Sequence, residues 1–89
     1  MSLAQIESAV SCLFDQHKVV AEGAGACGLA AAMFHEKALE YDRIVAVVCG
    51  GCIDTKELFR ILTDVETSCS ATGPTHLDKY SVHAARATR

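Results

Sequence analysis

The sequence has no basic patch and no long apolar run. Its 8 Lys and Arg residues are outnumbered by 11 Asp and Glu residues, which gives a formal net charge of -3 at pH 7. Binding to phosphates by charge needs an excess of basic side chains, so we expect neither nucleic acid nor a membrane surface as a partner. No apolar stretch approaches the roughly 20 residues of a membrane span, and no targeting segment opens the chain. We therefore expect a soluble, cytoplasmic protein.

The five cysteines do not indicate a disulfide scaffold. Such scaffolds are rich in loops, whereas Cys12, Cys27 and Cys49 lie within periodic apolar segments, and we predict reduced thiols. A chain of 89 residues allows one small domain, which buries only about 60% of its unfolded surface.

The most informative stretch runs from residue 44 to residue 52, and five consecutive apolar residues begin it. A run of this kind, rich in valine, is typical of a central parallel strand that is covered on both faces. Gly50 and Gly51 then allow a sharp turn. Asp54 follows as a predicted helix N-cap, with Glu57 closing a capping box. Because ligands of open α/β sheets bind beyond the carboxyl ends of strands, residues 49–52 are the first candidates for chemistry.

The remaining segments complete an α-β-α-β-α order. A helix over residues 3–16, capped by Ser2, precedes a short strand at 18–22 and a glycine-rich turn into a second helix that ends near Ala38. Periodicity disappears from Thr67, so we predict a folded α/β piece at 1–66 and a flexible tail at 67–89. The predicted fold class is α/β, a fragment of a three-layer parallel-sheet fold. Two strands rarely form an independent sheet, and an open sheet edge favours self-association into a homo-oligomer.

The predicted inner faces of the first and last helices are apolar, and the outer face of the first is polar. The inner residues are Leu3, Ile6, Val10, Leu13 and Phe14 in the first helix and Leu58, Phe59, Ile61, Leu62 and Val65 in the last, while Ser11 belongs to the outer face. Cys12 and Cys27 are predicted to be small core residues.

Three local motifs have alternative interpretations. Gly23, Gly25 and Gly28 match the G-x-G-x-x-G dinucleotide fingerprint, but the acidic residue expected about 20 positions later is missing. Residues 49–52 are also a C-x-x-C, as in redox dithiols, without the rest of a thioredoxin-like pattern. A zinc site would add distant ligands to one C-x-x-C, which is a weak signal. Those ligands would be Cys69, His76 or His83.

Taken together, the two glycine turns resemble one family, the pyridoxal-phosphate-dependent threonine and serine dehydratases. The resemblance lies in Lys18-Val19-Val20-Ala21-Glu22-Gly23-Ala24-Gly25-Ala26 and Val47-Val48-Cys49-Gly50-Gly51-Cys52-Ile53-Asp54, and it extends over about residues 2–66. It implies the carboxyl-terminal end of a fold-type-II catalytic domain. The implied reaction converts L-threonine or L-serine to a 2-oxo acid and ammonia.

The resemblance also implies a cofactor-binding set, which is Glu22, Gly23, Cys49, Gly50 and Gly51. The residue before the paired glycines, a serine or cysteine in the family, faces the pyridine nitrogen of pyridoxal phosphate, and here it is Cys49. A thiol is a weak hydrogen-bonding partner that leaves this nitrogen largely unprotonated, which favours elimination of the substrate hydroxyl. Cys52 replaces the usual asparagine and has no assigned role.

The family's covalent lysine, in a serine-phenylalanine-lysine context, and its phosphate-binding loop do not occur in this sequence. The chain by itself is therefore expected to have no catalytic residue. Its expected partners are the remainder of the catalytic domain and a small amino-acid substrate. A serine racemase-like fragment, or a non-catalytic α/β interaction or regulatory module, remains as an alternative.

Overall fold

Helices make up the regular structure of the residues that can be described. The computed structural model describes the backbone of residues 1–72 and the side chains of residues 1–64. The elements are α1 (Leu3–His17), α2 (Gly23–Phe34), a short 3₁₀-helix (Glu36–Glu40) and α3 (Thr55–Thr72). Six residues of the predicted tail, 67–72, belong to α3, and the remainder of that tail lies outside the described residues.

The predicted α/β fold is wrong, because residues 1–72 contain no β-strand. The two predicted strands, 18–22 and 44–48, are irregular segments with no backbone hydrogen bond between them; the nearest one runs from the Glu22 N–H to the carbonyl of Gly50, in the turn that follows, at 3.2 Å. From Ile44 to Cys49, half-buried and exposed residues alternate. This period of two indicates an extended chain with one covered face. A β-strand also needs backbone hydrogen bonds to a neighbouring strand, and an apolar composition does not ensure that such a neighbour exists.

Helix α1 has the ends that its sequence predicts. The Ser2 N–H donates to Oε1 of Gln5 at 2.9 Å, and the Gln5 N–H donates to Oγ of Ser2 at 3.3 Å, so the capping box is confirmed. At the other end, Lys18 takes the left-handed conformation with φ 56°. The Val19 N–H then donates to the Leu13 carbonyl at 2.9 Å. This cap turns the chain from α1 into the segment 18–22.

The hydrophobic core lies where α1 packs against α2 and α3. Val10 and Leu13 of α1 are the largest fully buried side chains. Other members are small or flexible, and they come from all three helices and from segment 18–22: Ala9, Cys12, Ala21, Ala26, Leu29, Ala30, Met33 and Ile61. Ala46 and Val48 pack against this cluster from one side of segment 44–49. The helices therefore cover one face of the two extended segments.

Several side-chain predictions for α1 and α3 were wrong. Leu3 and Phe59, predicted to face the core, are 71% and 72% exposed. Ser11, predicted to lie on a solvated face, is 3% exposed, and its hydroxyl donates to Asp15 at 3.4 Å. Because the core is small, each helix buries only a narrow row of side chains along one face. Apolar residues at the margins of that row remain exposed to solvent.

Helix α3 begins at the predicted cap. The Lys56 N–H donates to Oδ1 of Asp54 at 3.0 Å, which confirms Asp54 as the capping residue. Glu57, predicted to close a capping box, instead accepts hydrogen bonds from the guanidinium of Arg60. Arg60 also donates to Glu7 of α1 at 2.6 Å, and this contact joins the two helices. Arg60 is therefore the polar link between α1 and α3.

Candidate cofactor-contact site

The two glycine turns, which are far apart in sequence, meet at one place on the surface. Besides the hydrogen bond from the Glu22 N–H to the Gly50 carbonyl, the Glu22 carboxylate lies directly against the α-carbon of Gly50. A Cβ at residue 50 would overlap that carboxylate. Gly50 also has φ 83°, a conformation that side-chain-bearing residues rarely adopt. The backbone conformation favours glycine at position 50, and a side chain there would also have to move the Glu22 carboxylate aside.

Gly51 and Gly23 have different packing requirements. A Cβ at Gly51 would stand 2.9 Å from the Val20 carbonyl oxygen, closer than such contacts allow. A Cβ at Gly23 would meet only Cγ2 of Ile6 at 3.6 Å, an ordinary van der Waals distance. Packing within the described residues therefore explains the glycine at 51 and leaves the glycine at 23 unexplained.

Gly25 was not among the predicted site residues, although the geometry depends on it. A Cβ there would overlap the Cys49 carbonyl oxygen and come within 2.9 Å of the Gly50 carbonyl oxygen. The first turn of α2 thus sits directly on the backbone of residues 49 and 50. Further along the same helix, a Cβ at Gly28 would lie 3.6 Å from Cβ of Ala46. In the sequence, the run of small residues that opens α2 indicated a close contact for Gly25. It did not indicate which segment of the chain makes that contact.

The packing of Gly25 also weakens the dinucleotide interpretation of the glycine spacing. In that fingerprint, a helix N-terminus must stay open so that its N–H groups can reach a pyrophosphate. Here the carbonyl oxygens of Cys49 and Gly50 approach the first turn of α2. Of the three glycines in the spacing, close contact between helix and chain explains Gly25.

The cysteines of the candidate site lie at the surface. Cys49 and Cys52 are exposed, and neither forms a disulfide. Cys27 is half-buried, and its thiol donates to the Gly23 carbonyl at 3.3 Å. The prediction that Cys12 belongs to the core is confirmed, since it is 6% exposed.

The zinc hypothesis gains no support from the part of the chain whose side chains are described. Residues 1–64 contain no group of three His, Cys, Asp or Glu side chains that could hold a metal ion. The further ligands proposed from the sequence, Cys69, His76 and His83, lie outside the described side chains. No helix among the described residues has the length and apolar character needed to cross a membrane.

The five predicted site residues are thus brought together. Glu22 is half-buried and Gly23 follows it in the chain, while Cys49, Gly50 and Gly51 are exposed. The arrangement offers one thiol, one carboxylate and a stretch of backbone without side chains, which suits the edge of a flat, uncharged ring. Among the described lysines, Lys18, Lys37 and Lys56 are all exposed.

Comparison of the chain with protein families, curated proteins and solved structures finds no significant match.

Proposed function

We propose that this chain supplies one wall of the cofactor site in a pyridoxal-phosphate-dependent dehydratase that acts on L-threonine or L-serine. The observation that carries the proposal is the contact between Glu22 and Gly50, which joins the two motifs that resemble this family. The chain lacks the family's covalent lysine, so the proposal concerns a contribution to a larger active site.

The residues of the site fit the ring of the cofactor. Cys49 would approach the pyridine nitrogen, and Gly50 and Gly51 would allow the ring to lie against the backbone. Glu22 would lie near the same ring, held in place by its contact with Gly50. When bound, pyridoxal phosphate withdraws electrons from the substrate Cα and so makes its proton acidic. The Cys49 thiol, as a weak and uncharged partner, would keep the ring nitrogen unprotonated and so favour loss of the substrate hydroxyl.

The phosphate group would be held elsewhere. The first turn of α2, whose N–H groups could otherwise bind a phosphate, is approached by the carbonyl oxygens of residues 49 and 50. A phosphate needs several N–H donors or basic groups, and the upstream part of a dehydratase would provide them. The chain therefore contributes to recognition of the ring alone.

Reconstitution tests this function. The whole chain is mixed with pyridoxal phosphate and with the upstream portion of a dehydratase that carries the serine-phenylalanine-lysine segment. We expect an absorbance band near ~410 nm, typical of the lysine-bound cofactor, and release of 2-oxo acid only when all three are present. Absence of both signals after mixing would contradict the proposal.

Substitutions at the two cysteines show whether position 49 acts as proposed. Cys49→Ser should retain release of 2-oxo acid, because a hydroxyl is also a weak partner of the ring nitrogen. Cys49→Asp should lower the rate by about tenfold or more, about 1.4 kcal/mol in the barrier, because a carboxylate would stabilise the protonated form of the ring nitrogen. Cys52→Ser, an equally exposed cysteine in the same turn, is the matched control and should leave the rate unchanged. Equal rates for Cys49→Asp and Cys52→Ser would exclude this role for Cys49.

A further inference from the structure

The outer side of segment 43–49 exposes an unusual amount of apolar surface. Val45 is 92% exposed and Val47 is 75% exposed, while Val20, on the adjoining segment, is 44% exposed. The alternate residues Ala46 and Val48 face the helices and pack against the core. Exposed valines on one side of an extended chain are typical of a surface that a partner covers.

The backbone of the same segment has no partner within the described part of the chain. There, none of the N–H or C=O groups of residues 43–49 takes part in a hydrogen bond; the contact with Glu22 is made by Gly50. An extended segment with unpaired N–H and C=O groups is a template for pairing with another strand. Because residues 44–49 carry no charge, no charge repulsion opposes such pairing.

We propose that residues 43–49 pair in antiparallel orientation with the same residues of a second copy of this chain, forming a two-fold symmetric dimer centred on Ala46. Such an interface is self-complementary, because the same residues contribute from both copies and each contact occurs twice. Val45 of each copy lies opposite Val47 of the other, so the two most exposed valines contact each other across the two strands. The two copies together bring four extended segments side by side, whereas a single copy has two, fewer than an independent sheet requires.

The charges at the two ends of the segment favour a second copy in antiparallel orientation. Arg43 stands at one end, and the Glu22 carboxylate lies against Gly50 at the other end. Neither side chain forms a salt bridge within the described residues. Antiparallel pairing places Arg43 of each copy beside the end of the other copy that carries Glu22. Parallel pairing would place like charges together, which costs free energy.

This proposal does not depend on the cofactor site. It rests on the unpaired backbone and the exposed valines, so failure of the reconstitution above would leave it standing. Conversely, a chain that stays monomeric could still contribute Cys49 to a dehydratase.

Sedimentation equilibrium of the full chain over a wide range of concentrations tests the dimer. We expect the monomer mass at low concentration and the dimer mass at high concentration. Val45→Lys should raise the dimer dissociation constant by at least about tenfold, because lysine on a strand edge opposes pairing. Leu39→Lys is the matched control, since Leu39 is 72% exposed in the 3₁₀-helix, and it should leave the dissociation constant unchanged. Both replaced side chains are exposed, and circular dichroism checks that the helices persist.

A second variant tests the alignment of the two copies. With Ala46 at the centre, Lys at 45 of one copy faces residue 47 of the other. Val45→Lys combined with Val47→Glu should therefore recover most of the affinity that Val45→Lys loses, through two opposite-charge pairs. Monomer at every concentration, equal weakening by Leu39→Lys, or no recovery in the double variant would each overturn the proposal. A monomer that uses the Val45 edge to bind the upstream dehydratase portion would overturn it too and assign the edge to that domain.

Discussion

The three glycines in the first half of α2 differ in what surrounds them, although the sequence presents them as one motif. Gly25 touches the backbone of residues 49 and 50, whereas Gly23 and Gly28 have only ordinary distances to their neighbours. A methyl group added at Gly23 or Gly28 would be accommodated. At Gly25 it would have to displace the backbone of residues 49 and 50. The three positions therefore make a matched set for measurement.

Gly25→Ala should destabilise the protein by about 1–3 kcal/mol, the usual range for overpacking. The sign of this stability change is informative, because replacing glycine by alanine in a helix interior otherwise stabilises the helix by about 1 kcal/mol. Gly28→Ala, the control in the same helix, should be neutral or stabilising. Denaturant unfolding monitored by circular dichroism measures both. If Gly25→Ala proved as stable as Gly28→Ala, the close approach of α2 to Cys49 would be incorrect.

Among the helices, the contact of α3 with α1 depends on both apolar and charged groups. Ile61 of α3 enters the core, and next to it Arg60 binds Glu7 of α1 together with Glu57 and Asp64 of its own helix. Hydrogen bonds from Arg60 hold the pKa of Glu57 below its usual range; desolvation opposes them, and a smaller Coulomb attraction to Arg60 adds to them. The same carboxylates, Glu57 first and then Glu7, raise the pKa of Arg60 above its usual value.

The lowered pKa of Glu57 predicts a pH dependence of stability. Because the folded-state pKa is lower than the unfolded one, about 4.3, ionised Glu57 stabilises the fold above that pH and loses this effect as the pH falls through the folded-state pKa. Glu57→Gln should therefore lower the thermal midpoint at neutral pH, and the difference from wild type should vanish in acid. Since Glu57 and Arg60 are exposed, salt should also reduce the difference.

Glu40→Gln is the control for this measurement. It removes an exposed carboxylate that has no salt bridge among the described residues, and its thermal midpoint should follow wild type at every pH. A difference between Glu57→Gln and wild type that persisted unchanged in acid would contradict the ion pair with Arg60.

The molecule as a whole has a core built around two side chains of one helix. Val10 and Leu13 are the only large side chains below 2% exposure among the described residues, and many of their neighbours are alanines. A core of this size leaves a small margin of stability. Loss of one of these two side chains should therefore affect the whole fold.

Leu13→Ala should cost about 2–5 kcal/mol, since it removes a fully buried side chain and leaves a cavity. For a domain whose total stability lies near the low end of about 5–15 kcal/mol, this leaves a substantial unfolded population at room temperature. Leu39→Ala, at a position that is 72% exposed, should change stability by no more than about 0.5 kcal/mol. Denaturant unfolding followed by the circular dichroism of the helices measures the stability of both variants. Equal stability of Leu13→Ala and Leu39→Ala would contradict this description of the core.

The sequence predicted elements well where the signal was local. Ser2 with Gln5 and Asp54 before α3 each involve residues within one turn of helix, and both caps appear in the structure. The residues of the candidate site were proposed as a set because two motifs resemble one family, and that assignment stays a prediction. The geometry of the site was not predictable, because the distance between Glu22 and Gly50 depends on how α2 packs on the chain between them.

The strand prediction for residues 44–48 was wrong for a physical reason. An apolar composition indicates that a segment is buried. It does not indicate whether strands or helices bury it. Here the helices cover one side only, and the backbone finds no ladder within the described residues. The sequence by itself determined the helix ends and the small residues at the turns, because those depend on near neighbours. Only the tertiary structure decided that Glu22 meets Gly50, that Gly25 touches residue 49, and that Val45 and Val47 remain exposed, because each depends on packing between distant segments.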